Sequence, residues 1–352
     1  MKKVALIFGG PSPEHDVSLF SAKNIYQALK DAGLNTLLLG VTHDKKWKMI
    51  KGEDLLKTNF ESPIDLNTLG IEVEFTNEEN NIFVQSPESE EKNGPIDIAF
   101  PIVHGPFGED GELQKILDEL PLNYVGTKSD ACITCMDKAL TKKAIEATSI
   151  PQVPYIICED NNPSFDEVSQ KLGLPFFIKP ARMGSSIGIH KIKSEDGYHE
   201  ALADARIHDK KIVIEKGVTA KEIECAVLEK DGEIKVTAPA EISPNHEFYS
   251  YEAKYLDPNG ATFIIPAQIA QEVIEKIKVM AKEAFVQLGC KDYARVDFFL
   301  TSENHIYFNE LNTHPGFTNI SQFPQLWIHE GLSYKELILQ LLNQAVKTKT
   351  VE

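Results

Sequence analysis

The stretch "ARVDFFLTSENHIYFNELNTHPGFT", residues 294–318, contains two runs of apolar and aromatic residues on either side of the polar segment "TSENH". This pattern predicts a β-hairpin. Because side chains alternate between the two faces of a strand, Arg295 and Asp297 share one face of the first strand. Glu310 and Asn312 share one face of the second strand for the same reason. A register that sets Asp297 opposite Glu310 therefore places all four side chains on the same side of the hairpin.

The polar groups on this face need compensation if they are buried. Burying a carboxylate costs several kcal/mol unless a cation or hydrogen-bond donors compensate it. The oxygens of Asp297, Glu310 and Asn312 are hard ligands of the kind that hold Mg²⁺ and leave other positions to water and phosphate. An exposed sheet face on which Arg295 pairs with the acids explains the hairpin equally well. The hairpin alone therefore leaves both interpretations open.

The composition of the chain limits its partners and its compartment. It has 352 residues, of which 42% are hydrophobic and 25% charged, as is ordinary for a globular protein of two or three domains. The formal net charge of −17 argues against a nucleic acid or an anionic membrane as the partner. No apolar run approaches the roughly 20 residues of a membrane span, and the opening "MKKVALIFGGPSPEHDVS" predicts a buried strand rather than a signal peptide. We therefore expect a cytoplasmic protein that binds neither nucleic acid nor membrane.

The cysteines also fit a reducing compartment, because the five of them are scattered along the chain. Only "CITC", from Cys132 to Cys135, has the spacing of a redox or zinc motif, and it lacks a second pair of ligands. It lies inside a helix-like run. Small packing residues are therefore the favoured interpretation over redox chemistry.

The first third of the chain has the pattern of a doubly wound α/β domain. "KKVALIFGG" predicts a buried strand, "HDVSLFSAKNIYQALKDAG" a helix that stops at Gly33, and "NTLLLGVT" a second strand. This strand, turn, helix, strand order is the opening of such a domain. Residues 44–94 are less regular and are interpreted as a polar insertion, whereas "PIDIAFPIVHG" and "GELQKILDEL" predict a strand and a helix.

From about residue 127 the pattern changes to a mixture of strands and helices. The predicted helices are "SDACITCMDKALTKKAIEATSI", residues 164–173, "QEVIEKIKVMAKEAFVQLG" and residues 333–346. Strands are predicted in "PFFIKPARMGSSIGIHKI", in "KIVIEKGVTAKEIECAVLEK", and over residues 233–242 and 261–265. We therefore predict three domains, over residues 1–127, 128–217 and 218–352.

A second candidate site follows the strand-like run "PFFIK", which ends at Lys179 and leads into "PARMGSSIG". A lysine that leaves a buried strand beside a Gly-Ser loop is typical of a phosphate site, because it adds charge where Gly184 and Gly188 permit close approach of the backbone. Glu215 and Glu222, in "VIEKGVTAKEIE", are candidates to accept hydrogen bonds from an adenine or a ribose. A surface hairpin and solvated turn charges remain the alternatives. A nicotinamide oxidoreductase is disfavoured, since "GGPSPEHD" lacks the GxGxxG spacing.

Taken in chain order, nine segments resemble the D-alanine:D-alanine ligases of the ATP-grasp superfamily. They are "IFGGPSPEHDVS", "HGPFGEDGELQ", "YVGT", "MDKALTK", "IKPARMGSSIGI", "IEKGV", "YEAKY", "ARVDFF" and "NELNTHPGFT". The resemblance runs from about residue 3 to residue 345. It implies an α/β fold with an α+β C-terminal part, in a three-domain ATP-grasp architecture. In that architecture the N-terminal domain is doubly wound, and ATP lies between two antiparallel sheets. The implied reaction transfers the γ-phosphoryl of ATP to one D-alanine, and the amine of a second D-alanine then attacks the acyl phosphate.

The resemblance also implies the cofactors and their ligands. ATP and two Mg²⁺ or Mn²⁺ ions would bind here. By match to "DFF" and "NELN", Asp297, Glu310 and Asn312 would hold the metals. The residues implied in binding ATP are Lys138, Lys179, Ser186, Glu215, Lys216, Val218, Glu222, Lys254, Asn309 and Glu310.

The catalytic residues implied by the resemblance are Glu14, Ser185, Tyr255, Arg295 and Gly316. Arg295 and the backbone N–H of Gly316 would form an oxyanion site for the tetrahedral intermediate. Glu14 would bind the ammonium of the first D-alanine, in a hydrogen-bonded network with Ser185 and Tyr255. The implied substrate contacts are Glu14, His104, Lys254, Tyr255, Arg295, Gly316, Ser321 and Gln322.

Other activities of the same architecture stay open. D-serine or D-lactate is the alternative second substrate, and Tyr255 argues against D-lactate because depsipeptide-forming relatives carry other residues there. A nucleotide-binding module without catalysis would be expected to lack a metal ligand or Arg295, and every one is present. The resemblance implies a homodimer. His314 stands where methionine, serine or leucine is common in the family, and a packing difference is expected there.

Overall fold

The computed structural model describes residues 2–59, 62–159, 161–244 and 261–347. The N-terminal part consists of β1 (Lys3–Gly9), α1 (His15–Asp31), β2 (Asn35–Val41), β3 (Trp47–Ile50), α2 (Gly52–Lys57), β4 (Ile71–Glu72), β5 (Glu74–Glu78), β6 (Asn81–Gln85), β7 (Lys92–Ile96), β8 (Ile98–Pro101) and α3 (Glu112–Glu119). Its main sheet has the order β4-β3-β2-β1-β8, and β1 pairs in parallel with both β2 and β8. The predicted opening of strand, helix and strand is confirmed.

The segment from 44 to 94 is more regular than predicted. β3 and β4 extend the main sheet in the antiparallel sense, and β5, β6 and β7 form a separate three-stranded antiparallel sheet. The prediction that this segment is less regular is therefore wrong, and its interpretation as a polar insertion stays a prediction. These strands are short and carry little apolar signal: in β6, Ile82 and Val84 are the buried residues. The alternation over so few positions is too brief to separate from a loop.

The middle of the chain forms an antiparallel sheet flanked by helices. Its elements are α4 (Ser129–Met136), α5 (Lys138–Ile145), β9 (Tyr155–Cys158), α6 (Phe165–Leu172), β10 (Phe176–Pro180), β11 (His190–Ile192), α7 (Tyr198–His208) and β12 (Ile212–Lys216). The strand order is β11-β10-β12-β9. The segment "SDACITCMDKALTKKAIEATSI", predicted as a single helix, forms the two helices α4 and α5. Asp137 leaves the helical conformation between them, and its side chain accepts hydrogen bonds from the N–H groups of Ala139 and Leu140. The predictions also lacked α7 and β9.

The C-terminal part contains the hairpin. Its elements are β13 (Ala220–Lys230), β14 (Glu233–Val236), β15 (Ala240–Pro244), β16 (Ala261–Ile264), α8 (Gln271–Gln287), β17 (Tyr293–Thr301), β18 (Ile306–Asn312), α9 (Gln322–His329) and α10 (Tyr334–Lys347). The strand order is β16-β15-β13-β17-β18, with β14 also paired to β13. In the β17–β18 pair, Asp297 lies opposite Glu310 and Arg295 lies opposite Asn312. This is the register that places all four side chains on one side of the hairpin.

Hydrophobic packing joins parts that are distant in sequence. Phe8 and Phe100 of the N-terminal sheet share one core with Tyr293, Phe317 and Phe323. In a second core, Cys135 and Ile145 of α4 and α5 pack with Phe285 of α8. The middle sheet with α6 and α7 has a core of its own. The predicted boundaries at residues 127 and 217 stay a prediction.

The cysteines occupy packing positions. All five lie in the described part of the chain, and they are buried free thiols. Cys135 Sγ is 3.6 Å from Cys290 Sγ, in the core beneath α8. Burial raises the pKa of the Cys132 thiol well above its ordinary value, which disfavours the reactive thiolate.

Asp292 connects the N-terminal part to β17. Its Oδ2 accepts a hydrogen bond of 2.7 Å from the N–H of Gly126, and its own N–H donates to Glu229 Oε2 at 2.8 Å. Burial raises the pKa of Asp292 to about 7, against the lowering effect of the Gly126 N–H. The unfolded chain therefore releases this proton before the folded chain does, and stability falls as pH rises from about 4 to about 7.

Replacing Asp292 with asparagine removes this ionisation and keeps an oxygen acceptor. We expect Asp292→Asn to be more favourable relative to wild type at pH 8 than at pH 5, by about 2 kcal/mol in the free energy of unfolding. Urea denaturation at both pH values measures the difference. The exposed position Asp196 provides the control, since Asp196→Asn should behave alike at both pH values. An equal effect of Asp292→Asn at pH 5 and pH 8 would contradict the raised pKa.

Candidate active site

One cavity of about 620 Å³ lies among the three parts of the chain, a size typical of sites for small ligands. Every site residue predicted from the sequence lines this cavity, provided that it belongs to the described residues. The predicted residues Lys254 and Tyr255 lie outside the described residues. The structure therefore brings the hairpin, the Gly-Ser loop and the segment around Glu14 to one place.

The acidic face of the hairpin is held around Arg295. Arg295 Nε donates to Asp297 Oδ1 at 2.8 Å, and its Nη2 donates to Asp297 Oδ2 at 2.7 Å. Asn312 Nδ2 donates to the same Oδ2 at 3.0 Å, and Arg295 Nε is 3.2 Å from Glu224 Oε2. Burial acts to lower the pKa of Arg295, but the carboxylates outweigh it and raise that pKa well above its ordinary value. The positive charge expected beside these acids is thus Arg295.

The hairpin face also has the chemistry of a divalent-cation site. Glu224, Asp297 and Glu310 carry three negative charges against the single charge of Arg295. Asn312 donates through Nδ2, so its Oδ1 is the atom with acceptor capacity for a cation. Among the residues that the structure describes, no group of three or more His, Cys, Asp or Glu is arranged to hold a metal. The oxygens of Asp297, Glu310 and Asn312 are of the type that a divalent cation binds together with phosphate and water.

Two lysines contact Glu215 on the wall of the cavity opposite the hairpin. Lys179 Nζ donates to Glu215 Oε2 at 2.6 Å, and Lys142 Nζ lies 3.0 Å from Oε1. Burial acts to raise the pKa of Glu215, but Lys142 and Lys179 outweigh it and lower that pKa to about 2. A carboxylate held between two ammonium groups fixes Lys179 at the end of β10, where the sequence predicted a phosphate contact.

Lys142 was not predicted from the sequence. It follows Lys138 by four residues, which places both on one face of α5. Lys142 is 2% exposed and its Nζ lies 4.9 Å from the ring centre of Tyr155. The run "KALTKKAI" offers several lysines, and burial alone distinguishes Lys142 from its neighbour Lys143.

The Gly-Ser loop between β10 and β11 adopts a backbone conformation that is unfavourable for residues with a side chain. Ser185 and Ser186 have φ values of 51° and 61°, a region that costs a residue with a side chain roughly 1–2 kcal/mol. Ser185 Oγ donates to Glu14 Oε1 at 2.6 Å, and Lys138 Nζ donates to the carbonyl of Met183 at 2.7 Å. The hydrogen bond predicted between Ser185 and Glu14 is present, and it joins the loop to the N-terminal part.

A chain of hydrogen bonds positions the segment after β18. His104 Nδ1 donates to the carbonyl of His314 at 3.0 Å, so its Nε2 is the acceptor for Ser21 Oγ at 3.1 Å. Ser21 Oγ in turn accepts from the N–H of Phe317 at 3.1 Å. Ser21 was missed in the sequence, where nothing separates it from the other serines of α1. These bonds tie the backbone on both sides of Gly316 to the N-terminal part.

Gly316 lies close to the side chain of Ser321. A side-chain carbon there would come within 2.7 Å of Ser321 Oγ. Ser321 Oγ accepts from the N–H of Thr318 at 3.1 Å and lies just before α9. His314 is buried against Tyr293, and burial lowers the pKa of its imidazole to about 3. It is therefore neutral near pH 7 and occupies a packing position, as expected.

Comparisons with known proteins agree with this geometry. The family described as "D-ala D-ala ligase N-terminus" matches residues 3–127, and "D-ala D-ala ligase C-terminus" matches residues 144–343. The chain belongs to the D-alanine–D-alanine ligase family. It is 41% identical to D-alanine–D-alanine ligase A of Salmonella typhimurium, over 99% of this chain and 96% of the relative. It is 40% identical to the D-alanine–D-alanine ligase of Oceanobacillus iheyensis, over 98% of this chain and 95% of the relative.

Solved structures give the same result. The D-alanine–D-alanine ligase from Coxiella burnetii superposes with a TM-score of 0.85 at 30% identity, covering 99% of this chain and 94% of that one. The VanG D-Ala:D-Ser ligase from Enterococcus faecalis superposes with a TM-score of 0.84, also at 30% identity, covering 98% and 99%. The predicted family, the α/β ATP-grasp fold class and the assignment as a ligase enzyme are confirmed. No helix in the described ranges combines the length and apolar character needed to cross a membrane.

The ion pairs of Glu215 generate a prediction about acid stability. A carboxyl whose folded pKa is lowered from 4.5 to about 2 stabilises the fold above pH 4.5, and this stabilisation is lost as pH falls through 2. We expect Glu215→Gln to have a lower free energy of unfolding than wild type at pH 7. At pH 3 this difference in the free energy of unfolding should be smaller by about 2 kcal/mol. Urea unfolding curves at the two pH values test this. Glu233→Gln, at an exposed position on β14, should show no such dependence, and a constant deficit for Glu215→Gln would refute the assignment.

Proposed function

We propose that this protein joins two D-alanine molecules at the expense of ATP, giving D-alanyl-D-alanine, ADP and phosphate. The observation that carries the proposal is the convergence, in one cavity, of groups suited to each part of the reaction. Lysines face a hairpin with carboxylate and amide oxygens, Arg295 stands beside them, and Glu14 approaches from the N-terminal part. Membership of the family supports the same conclusion, and it makes the product a precursor for peptidoglycan.

The nucleotide would lie between the middle sheet and the C-terminal sheet. Lys138 and Lys179 supply positive charge for its phosphates, with Ser186 and Asn309 beside them. The adenosine end would meet Glu215, Lys216, Val218 and Glu222. Asp297, Glu310 and Asn312 would hold two Mg²⁺ or Mn²⁺ ions, which when bound neutralise the charge of the transferring phosphoryl group. Phosphoryl transfer depends mostly on such positioning, so fixed side chains on strands suit it.

The first D-alanine would be held by its ammonium at Glu14, with its carboxylate toward Arg295 and His104. An oxygen of that carboxylate bonds to the γ-phosphorus as the bond to ADP breaks. The amine of the second D-alanine then bonds to the acyl carbon, and phosphate leaves with the bonding pair of the carbon–oxygen bond while the amine loses a proton. Arg295 and the N–H of Gly316 stabilise the negative oxygen formed between these events. Lys254 and Tyr255 complete the site from a segment that we propose covers it and excludes water.

The second substrate would place its carboxylate at Ser321, where the N-terminus of α9 also favours an anion. The D-Ala:D-Ser ligase of Enterococcus faecalis shares this fold, so the fold itself does not select D-alanine. Residues at the second subsite, such as Gln322, make that selection, and D-serine is the alternative that the assay below includes. We further propose a cytoplasmic homodimer with domains over residues 1–127, 128–217 and 218–352.

The reaction is tested with purified protein, ATP, Mg²⁺ and D-alanine, by following phosphate release and product mass. We expect one phosphate per D-alanyl-D-alanine, and little turnover with L-alanine. D-serine and D-lactate are offered in parallel as second substrates. A mixed product with D-serine, in the absence of D-alanyl-D-alanine, would overturn the specificity, and no turnover with any substrate would overturn the proposed ligase reaction.

The metal assignment is tested on the hairpin. Glu310→Gln keeps the size of the side chain and removes its charge. We expect kcat to fall at least about 100-fold, because the carboxylate of Glu310 would hold the cation that neutralises the transferring phosphoryl group. Glu303→Gln lies in the exposed turn of the same hairpin and should keep wild-type kcat. Equal rates for the two variants would show that Glu310 does not hold the metal.

The contact between Ser185 and Glu14 predicts a selective effect on the first substrate. Ser185→Ala removes a hydrogen bond to a carboxylate, which is worth about 1.5–3 kcal/mol. We expect KM for the first D-alanine to rise about 10-fold or more, while KM for ATP changes less than about 2-fold. Steady-state kinetics measure both. Ser194→Ala, at an exposed position after β11, is the matched control, and a rise confined to the KM for ATP would argue against the proposed role of Glu14.

A further inference from the structure

Glu224 is a buried carboxylate of the cavity to which the sequence assigned no role. It lies on β13, directly opposite Asp297 of β17, and it is 6% exposed. Its Oε2 is 3.2 Å from Arg295 Nε. Glu222 and Glu224 share one face of β13, as their spacing of two residues requires.

Neutralising Arg295 does not require Glu224. Asp297 already receives two hydrogen bonds from the guanidinium, in the paired geometry that is the strongest for arginine and a carboxylate. Burying a second carboxylate, as Glu224 is buried, costs several kcal/mol unless cations and hydrogen-bond donors compensate it. The three carboxylates also repel one another. The presence of Glu224 at this point therefore calls for a role beyond charge balance.

The competing demands on Asp297 suggest that role. Asp297 accepts from Arg295 and from Asn312, and it is also a residue that fits a divalent cation. Asp297, if it held a cation, would share its oxygens between that cation and the guanidinium, and the two positive charges would repel each other. Arginine has a long side chain with about 2 kcal/mol of rotamer entropy, so it would lose its position once Asp297 released it. Glu224 contacts Arg295 from the strand on the other side of β17, away from Glu310 and Asn312.

We propose that Glu224 is the positioning residue that keeps Arg295 in the site when Asp297 binds the cation. This inference rests on the proposed function of Arg295 at the tetrahedral intermediate. In this structure Nε donates to Asp297 Oδ1, and with Asp297 on the cation Glu224 Oε2 would accept that N–H instead, leaving the remaining N–H groups of the guanidinium available to the substrate oxygen. Glu224 acts through Arg295 and touches neither the metal nor the nucleotide.

The test separates the reaction from the binding of the nucleotide. In Glu224→Gln we expect kcat for D-alanyl-D-alanine formation to fall about 10- to 100-fold, while the Kd for ADP with Mg²⁺, measured by titration calorimetry, changes less than about 2-fold. Glu241→Gln is the matched control, because Glu241 is a buried carboxylate of the same sheet whose cation partner is Lys221 at 2.9 Å. It should keep wild-type kcat. A weaker Kd for ADP with Mg²⁺ in Glu224→Gln would make Glu224 part of the metal site and overturn the proposal.

A double-mutant cycle distinguishes a role through Arg295 from a general structural role. If Glu224 acts through Arg295, Glu224→Gln has no further effect on kcat in an Arg295→Ala protein, so the two losses are not additive. Additive losses would overturn the inference. If circular dichroism shows that Arg295→Ala does not fold, Arg295→Lys replaces it in the cycle.

The outcomes also separate this inference from the proposed function. A wild-type rate in Glu224→Gln combined with a large loss in Arg295→Ala would reject the role of Glu224 alone. Wild-type rates in both variants would reject the role of Arg295 in the reaction. Absence of ligation by the wild-type protein would reject the proposed function itself.

Discussion

A single half-buried arginine lies among three carboxylates on one face of a β-sheet, and the arrangement of the site depends on their ion pairs. Glu224, Asp297 and Glu310 surround Arg295 on β13, β17 and β18. Their charges leave the face negative, which disfavours an anionic nucleotide by itself and favours it once divalent cations are present. Metal and nucleotide are therefore expected to bind together. The rigid pairing of three strands keeps the carboxylates close despite their repulsion.

The wall of the cavity that faces this sheet has the opposite requirement, because it must hold positive charge close to where phosphates would bind. Lys142 and Lys179 share the carboxylate of Glu215, which leaves that cluster positive. The loop that follows β10 carries two serines in the left-handed region of backbone conformation. Buried charges and strained backbone thus meet in one cavity and cost stability there. Such costs persist in a structure when the groups serve binding or chemistry.

Sequence reasoning predicted those parts of the molecule whose signal is local or periodic. The pairs that share a face, Arg295 with Asp297 and Glu310 with Asn312, followed from the alternation of side chains along each strand. The break at Asp137 escaped prediction, since the apolar pattern continues through it and only the capping geometry interrupts the helix. Helix α7 buries small residues such as Ala201 and Ala205, so its apolar periodicity is weak. Lys142 and Glu224 were missed because their burial depends on contacts between distant elements, which a charge in the sequence does not reveal.

The way the three parts are joined indicates where movement during the reaction would occur. Phe317 packs in one core with the N-terminal strands, and the same segment is bonded to Ser21 and carries Gly316. Apolar packing of this kind resists rearrangement, so the N-terminal part and the segment that carries Gly316 should move as one body. The middle sheet has its own core and meets Glu14 through the polar contact of Ser185. Water can replace a hydrogen bond at small cost but cannot replace buried apolar contacts. We therefore expect substrate-dependent opening to carry Lys179 of the middle sheet away from a fixed frame that holds Glu14, Arg295 and Gly316.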